Sequence, residues 1–186
     1  MSAYSDYCEF MEYIKTPREH RERKKHRLPL EYYTASDCEF FFTISAKWGQ
    51  PRFTNDKLAQ AVVDALLWRK RHHNWTLYVY CLMPDHLHFI VRLPPHEIRY
   101  FNGGARGIVP ETILDHVGNF KKYTTTKIWW LQGGAGQLWL KSSYDRVIWY
   151  NQSVEPVCSY VLNNPVRKGL VEKWEDYPYV GIVDPW

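Results

Sequence analysis

Cysteine is scarce in this chain. Cys8, Cys38, Cys81 and Cys158 are scattered over 186 residues with no Cys-x-x-Cys pair. That spacing argues against a disulfide framework and against a structural zinc site. Long apolar runs are also missing. Nothing approaches the roughly 20 residues of a membrane span, and no N-terminal stretch resembles a signal peptide. We find no internal repeats. Charge of one sign is in small excess: the net charge is +4 and the pI is near 8.8, mild for a protein that holds nucleic acid. These absences predict a soluble, intracellular, cytoplasmic protein of one domain, long enough for a proper core.

Aromatic residues, by contrast, are abundant at 17%, with nine tryptophans. They serve either as core packing or as stacking platforms for unpaired bases; Trp129, Trp130 and Trp139 flank a glycine-rich stretch and suit either role. Charge is unevenly placed. Lys15, Arg18, Arg21, Arg23, Lys24, Lys25 and Arg27 face only Glu19 and Glu22, so this window carries +5 and the rest of the chain sums to −1. Such a run is either a solvated arm or a tracker of phosphates. We expect residues 1–32 to form a basic arm, 33–170 the main domain, and 171–186 a tail packing on it through Trp174 and Tyr177. Other candidate nucleic-acid contacts are Lys121, Lys122, Arg146, Arg167 and Lys168.

Patterning predicts an alternation of elements. Residues 39–46 are a β-type run. Residues 55–72 read as a helix with Leu58, Val62, Ala65 and Leu66 on one face. Strands at 76–82 and 86–93 form a hairpin. Residues 111–127 read as a second helix, with Ile113, Leu114, Val117 and Phe120 inward, and 138–149 contain a short strand. The order β-α-β-β-α-β is the ferredoxin-like arrangement of an α+β protein.

Two motifs carry chemistry. In Met83-Pro84-Asp85-His86-Leu87-His88-Phe89-Ile90-Val91 the histidines sit two apart on a strand, so both face one way. Two imidazoles on one face are half of a divalent-metal site, or simply two strand histidines. Asp85 is out of phase with them and receives no role. The second motif is Cys158-Ser159-Tyr160-Val161-Leu162-Asn163-Asn164-Pro165-Val166-Arg167-Lys168-Gly169-Leu170-Val171. Ser153 is a plausible N-cap for the helix, and Pro165 should stop it at or just before Asn164. Tyr160 and Asn164, four apart, share a face.

Taken together, the Met-Pro-Asp-His-Leu-His strand resembles the signature of the HUH single-tyrosine transposases. The Tyr-Val-Leu-Asn-Asn-Pro-Val-Arg-Lys-Gly segment and the Trp139 to Ile148 segment resemble, more specifically, the REP-associated tyrosine transposases. The resemblance spans about Tyr33 to Tyr179. It implies a ferredoxin-like βαββαβ domain whose antiparallel sheet carries the histidines and whose C-terminal helix carries the tyrosine. It further implies His86 and His88 as ligands of Mg²⁺ or Mn²⁺, Asn164 as a third ligand, and Tyr160 as the nucleophile. Related enzymes often have Gln where Asn164 stands. Tyr123 and Tyr144 lack an amide partner four residues on. The implied activity is nicking and strand transfer of single-stranded DNA beside REP-type hairpins through a 5′-phosphotyrosine. The implied setting is a bacterial, nucleoid-associated protein, either monomer or homodimer, with no membrane partner. Two other readings stay open: a hairpin-binding protein without turnover, and a metal-dependent nuclease that uses water.

Overall fold

A computed structural model describes residues 32–33, 37–47, 52–94 and 112–186. The basic-arm candidates Arg18, Arg21, Arg23, Lys24 and Lys25 lie outside the described residues, as does most of the 94–110 segment.

The strands are β1 (Cys38–Ser45), β2 (Thr76–Met83), β3 (His86–Arg92), β4 (Tyr144–Trp149) and β5 (Val180–Ile182); the helices are α1 (Asp56–His72), α2 (Ile113–Gln132), α3 (Glu155–Leu162) and α4 (Asn164–Arg167). They form one antiparallel sheet in the order β4-β1-β3-β2-β5. The first four strands reproduce the ferredoxin-like order, with β3 at the centre.

Residues of β1 and β3 are buried on both faces because helices cover both. On one face, Phe40, Phe42, Ile44, Leu87, Phe89 and Val91 pack against α1 and α2. On the other, Phe41, Val79, Cys81 and Ile90 pack against Val157, Cys158 and Val161 of α3. The alternation Phe40/Phe41/Phe42 thus splits between two cores, the period-two rule acting on a sheet buried on both sides.

Asn55 caps α1, its side chain accepting from the Lys57 and Leu58 amides. Thr112 and Asp115 form a capping box on α2. That helix runs five residues past the expected end at 127 and stops at Gly133. There φ is +75°, a conformation glycine adopts without a steric cost. The extension places Trp129 and Trp130 on the helix. Trp129 Nε1 donates to the Gly136 carbonyl at 2.8 Å. Trp139 is core: it is 2% exposed, stacks near Phe53 and donates through Nε1 to Thr124 Oγ1 at 2.8 Å.

Two terminal expectations shift. Val154, not Ser153, is the N-cap of α3, although Ser153 Oγ still accepts the Glu155 amide at 3.3 Å. Residues 171–186 do more than pack: Val180–Ile182 adds an edge strand to β2, and Tyr177 donates to the Leu82 carbonyl at 2.9 Å.

Candidate active site

The histidines stand on the α3 side of the central strand. His86 and His88 are 2% and 5% exposed, and their Nε2 atoms lie 3.0 Å apart. Their Nδ1 atoms point away from each other to separate partners. His86 Nδ1 meets Asp85 Oδ1 at 2.5 Å. His88 Nδ1 meets Thr43 Oγ1 at 2.8 Å, because β1 pairs Thr43 directly opposite His88. A carboxylate only accepts, so His86 Nδ1 donates to Asp85, and in the neutral ring Nε2 then carries the lone pair. A hydroxyl can donate or accept, so Thr43 suits either tautomer of His88.

This geometry fits a divalent ion. Two ligands at right angles on one ion, with bonds of about 2.1 Å, sit about 3.0 Å apart. Ligating histidines ordinarily donate their other ring N–H to a carboxylate or a comparable acceptor. Among the described residues no cluster of three His, Cys, Asp or Glu completes the set. Cys81, paired across from His88, is a poor thiolate candidate: burial pushes its thiol up to about 12. Asp85 is already committed to His86. Remaining positions would fall to oxygen donors outside the His, Cys, Asp and Glu set, which suits an amide, water or phosphate oxygen.

Tyr160 arrives from α3. Its ring meets the His88 ring edge-on at a centroid distance of 5.8 Å and Phe41 at 6.2 Å. Phe41 in turn stacks on His88 at 5.5 Å. The Arg167 guanidinium lies over the phenol ring, 4.8 Å from its centroid, a cation–π contact. Asn164 is 5% exposed, and its Nδ2 donates to the Tyr160 carbonyl at 3.3 Å. The amide oxygen is therefore the atom that could serve as a ligand.

The Asn-Pro-Val-Arg-Lys-Gly-Leu stretch fixes this corner. Pro165 fits the first turn of α4, where a missing N–H is harmless. Gly169 at φ +66° donates to the Val166 carbonyl, and Leu170 donates to that of Pro165, both at 2.9 Å. That double bond pattern is the Schellman closure. It holds Arg167 on the short turn facing Tyr160.

The other candidates divide by layer. Arg146 and Tyr144 share the histidine face, since β4 pairs them opposite Phe41 and Thr43. Lys121 and Lys122 lie on α2, against the opposite face of the sheet. The Lys121 ammonium is held by the carbonyls of Leu140 and Lys141 at 3.2 and 3.4 Å. Lys168 is exposed at the end of α4. Asp85 and Thr43 are functional candidates that sequence reasoning missed. The phase of the histidines says nothing of a turn residue, and only the register reveals Thr43.

A five-stranded antiparallel sheet with paired histidines on its central strand, and a tyrosine helix packed on their face, matches the HUH transposase fold. In sequence and in fold the chain is similar to the REP-associated tyrosine transposases. A curated Haemophilus influenzae protein of that name is 24% identical over 114 residues, covering 58% of this chain and 59% of the relative. The match therefore spans less than two thirds of that protein's length. A solved REP-associated tyrosine transposase bound to a REP hairpin superposes with a TM-score of 0.60 at 18% identity, over 84% of this chain and 81% of that one; the two share the fold. A solved Deinococcus radiodurans transposase aligns over 77% of this chain and 97% of its own at 15% identity and a TM-score of 0.46, too loose a fit to support an argument. No protein-family model matches the chain. No helix among the described residues is long and apolar enough to cross a membrane.

Proposed function

We propose that this protein nicks single-stranded DNA beside a REP-type hairpin and rejoins it by strand transfer, with Tyr160 as nucleophile and His86 and His88 holding a divalent ion. The observation that carries the reading is the convergence of two buried Nε2 atoms 3.0 Å apart beside the Tyr160 ring.

When bound, Mg²⁺ or Mn²⁺ would polarise a non-bridging phosphate oxygen and offset its charge. Mn²⁺ accepts imidazole more readily than Mg²⁺ does. His86 and His88 would hold the ion, oriented by Asp85 and Thr43, with the Asn164 amide oxygen as the candidate third ligand. Tyr160 Oη attacks phosphorus and gives up its phenolic proton as the P–O3′ bond breaks, and the leaving oxygen takes up one proton to become a free 3′-OH. The product is a 5′-phosphotyrosine. A second 3′-OH reverses the step on another strand, with one phosphodiester formed for the one consumed and no nucleotide hydrolysis needed. Arg167, beside the phenol ring, and Arg146, on the same sheet face, supply positive charge near the incoming phosphate. Hairpin DNA is the partner suggested by the REP-bound relative. The chain acts as monomer or homodimer, with the basic arm 1–32 following the backbone of the DNA.

The test uses 3′-labelled hairpin oligonucleotides drawn from the gene's own flanks, with Mn²⁺ or Mg²⁺. Expected is metal-dependent cleavage that His86→Ala abolishes. Cleavage that survives Tyr160→Phe would overturn the tyrosine mechanism in favour of water.

A further inference from the structure

The helix layer carries a second concave surface, on the side of the sheet away from His86 and His88. Between α1 and α2 runs a groove of about 560 Å³, lined among others by Lys57, Trp68, Arg71, Tyr123 and Lys127. A smaller hollow of about 230 Å³ shares Tyr123 and Lys127 with it and ends on Trp130. The two hollows adjoin at these side chains and together make a channel-like surface. Its aromatic residues are unusually open: Trp68 is 47% exposed, Tyr123 53% and Trp130 76%. Large exposed aromatics in a row are a surface with a use.

The rings are held rather than loose. Trp68 stacks on His72 at 3.7 Å. The Lys127 ammonium sits 4.9 Å from the Trp130 ring centroid. Three cations line the main groove against one carboxylate, Asp64, which accepts from the Gln60 amide at 2.8 Å. Flat apolar faces alternating with cations match a chain of bases joined by phosphates. A purely apolar partner would leave these charges without partners.

We infer that this channel binds a single-stranded segment of the DNA outside the cleavage site, with Trp68, Tyr123 and Trp130 stacking bases and Lys57, Arg71 and Lys127 meeting phosphates. The inference rests on the DNA reading of the opposite face. It adds a second, sequence-tolerant grip there, which would hold the flanking strand while the hairpin occupies the nicking face.

Anisotropy of fluorescein-labelled (dT)20 tests it, with the full chain in a Tyr160→Phe background. Loss of two or more stacked bases in Trp68→Ala/Tyr123→Ala/Trp130→Ala is expected to weaken binding about thirtyfold or more. Arg71→Glu/Lys127→Glu is expected to flatten the dependence of log K on log salt by about 1.4, two contacts' worth for a single strand. Unchanged affinity and slope in both variants would overturn the inference. So would photocrosslinks from a 5-iodo-deoxyuridine strand that fall only on peptides of β4 and α3; crosslinks on α1 and α2 are expected. A covalent-adduct assay with Tyr160 restored, on a hairpin carrying only the short single-stranded stub that holds the scissile phosphate, separates the two proposals. The triple aromatic variant should still form the adduct. A protein that forms none, yet binds (dT)20 through the channel, loses the nicking reading and keeps this one.

Discussion

Asp85→Asn keeps the shape of the side chain and removes only its charge. In the native protein the carboxylate receives the His86 Nδ1 proton at 2.5 Å, and that ring is almost wholly withdrawn from water. A hydrogen bond to a charged partner contributes about 1.5–3 kcal/mol, and a neutral one about 0.5–1.5. The asparagine oxygen can still accept, so about 1–2 kcal/mol should be lost rather than the whole bond. The loss falls on the ligand-competent state, because the carboxylate fixes the tautomer and ring orientation that leave the Nε2 lone pair to the ion. Metal affinity should therefore drop about 5- to 30-fold, overlapping the range usual for such second partners. Titration of free Mn²⁺ by electron paramagnetic resonance reads this directly, without DNA. Thr43→Val should weaken binding less, since it removes a neutral partner from His88, and Thr43→Ser should restore it. Asp85→Asn binding Mn²⁺ within twofold of the parent would refute the claim that Asp85 prepares the ligand.

Other outcomes follow from the packing. Gly169→Ala forces a Cβ onto φ +66° at the Schellman turn, so urea denaturation should show about 1 kcal/mol lost, and adduct yield should fall as Arg167 loses its fixed turn. Cys38, Cys81 and Cys158 are buried and burial pushes each thiol up to about 12; none should react with iodoacetamide at pH 8 until the protein unfolds, as peptide mass mapping would show. The Thr112 amide, and then its hydroxyl, hold Asp115 below the ordinary carboxylate range. A depressed folded pKa contributes stability that is present above the unfolded value of about 4 and disappears as pH falls through the lower folded value. Asp115→Asn should therefore lower Tm near neutral pH and narrow its gap to the parent in acid.

Much of this architecture was legible because it is periodic. The split of Phe40, Phe41 and Phe42 between two cores, and the shared direction of His86 and His88, follow from the period of two along a strand. The Leu58, Val62, Ala65 and Leu66 stripe similarly marked α1. What escaped was non-local or aperiodic. The end of α2 was misplaced because Ile128, Trp129 and Trp130 are weaker helix formers than the residues before them, while packing of Ile128 and the Gly133 stop decide the boundary. Val180–Ile182 is too short to show a period, and edge pairing with β2 creates it. Lys121 reads as a free cation in sequence, yet neighbouring carbonyls hold it. Thr43 joins the site only because β1 lies antiparallel to β3 in one register, and Asp85 joins it from the turn that the strand rule does not cover.

The central claim is a covalent bond between Tyr160 and a 5′ DNA end. Its most direct test is peptide mapping by mass spectrometry after reaction of the intact protein with a cognate hairpin strand and Mn²⁺, followed by nuclease trimming. Expected is a nucleotide remnant on the peptide that spans α3, localised to Tyr160 and absent in His86→Ala. A remnant on Tyr144 or Tyr123 instead, or cleaved DNA with no modified peptide, would contradict it.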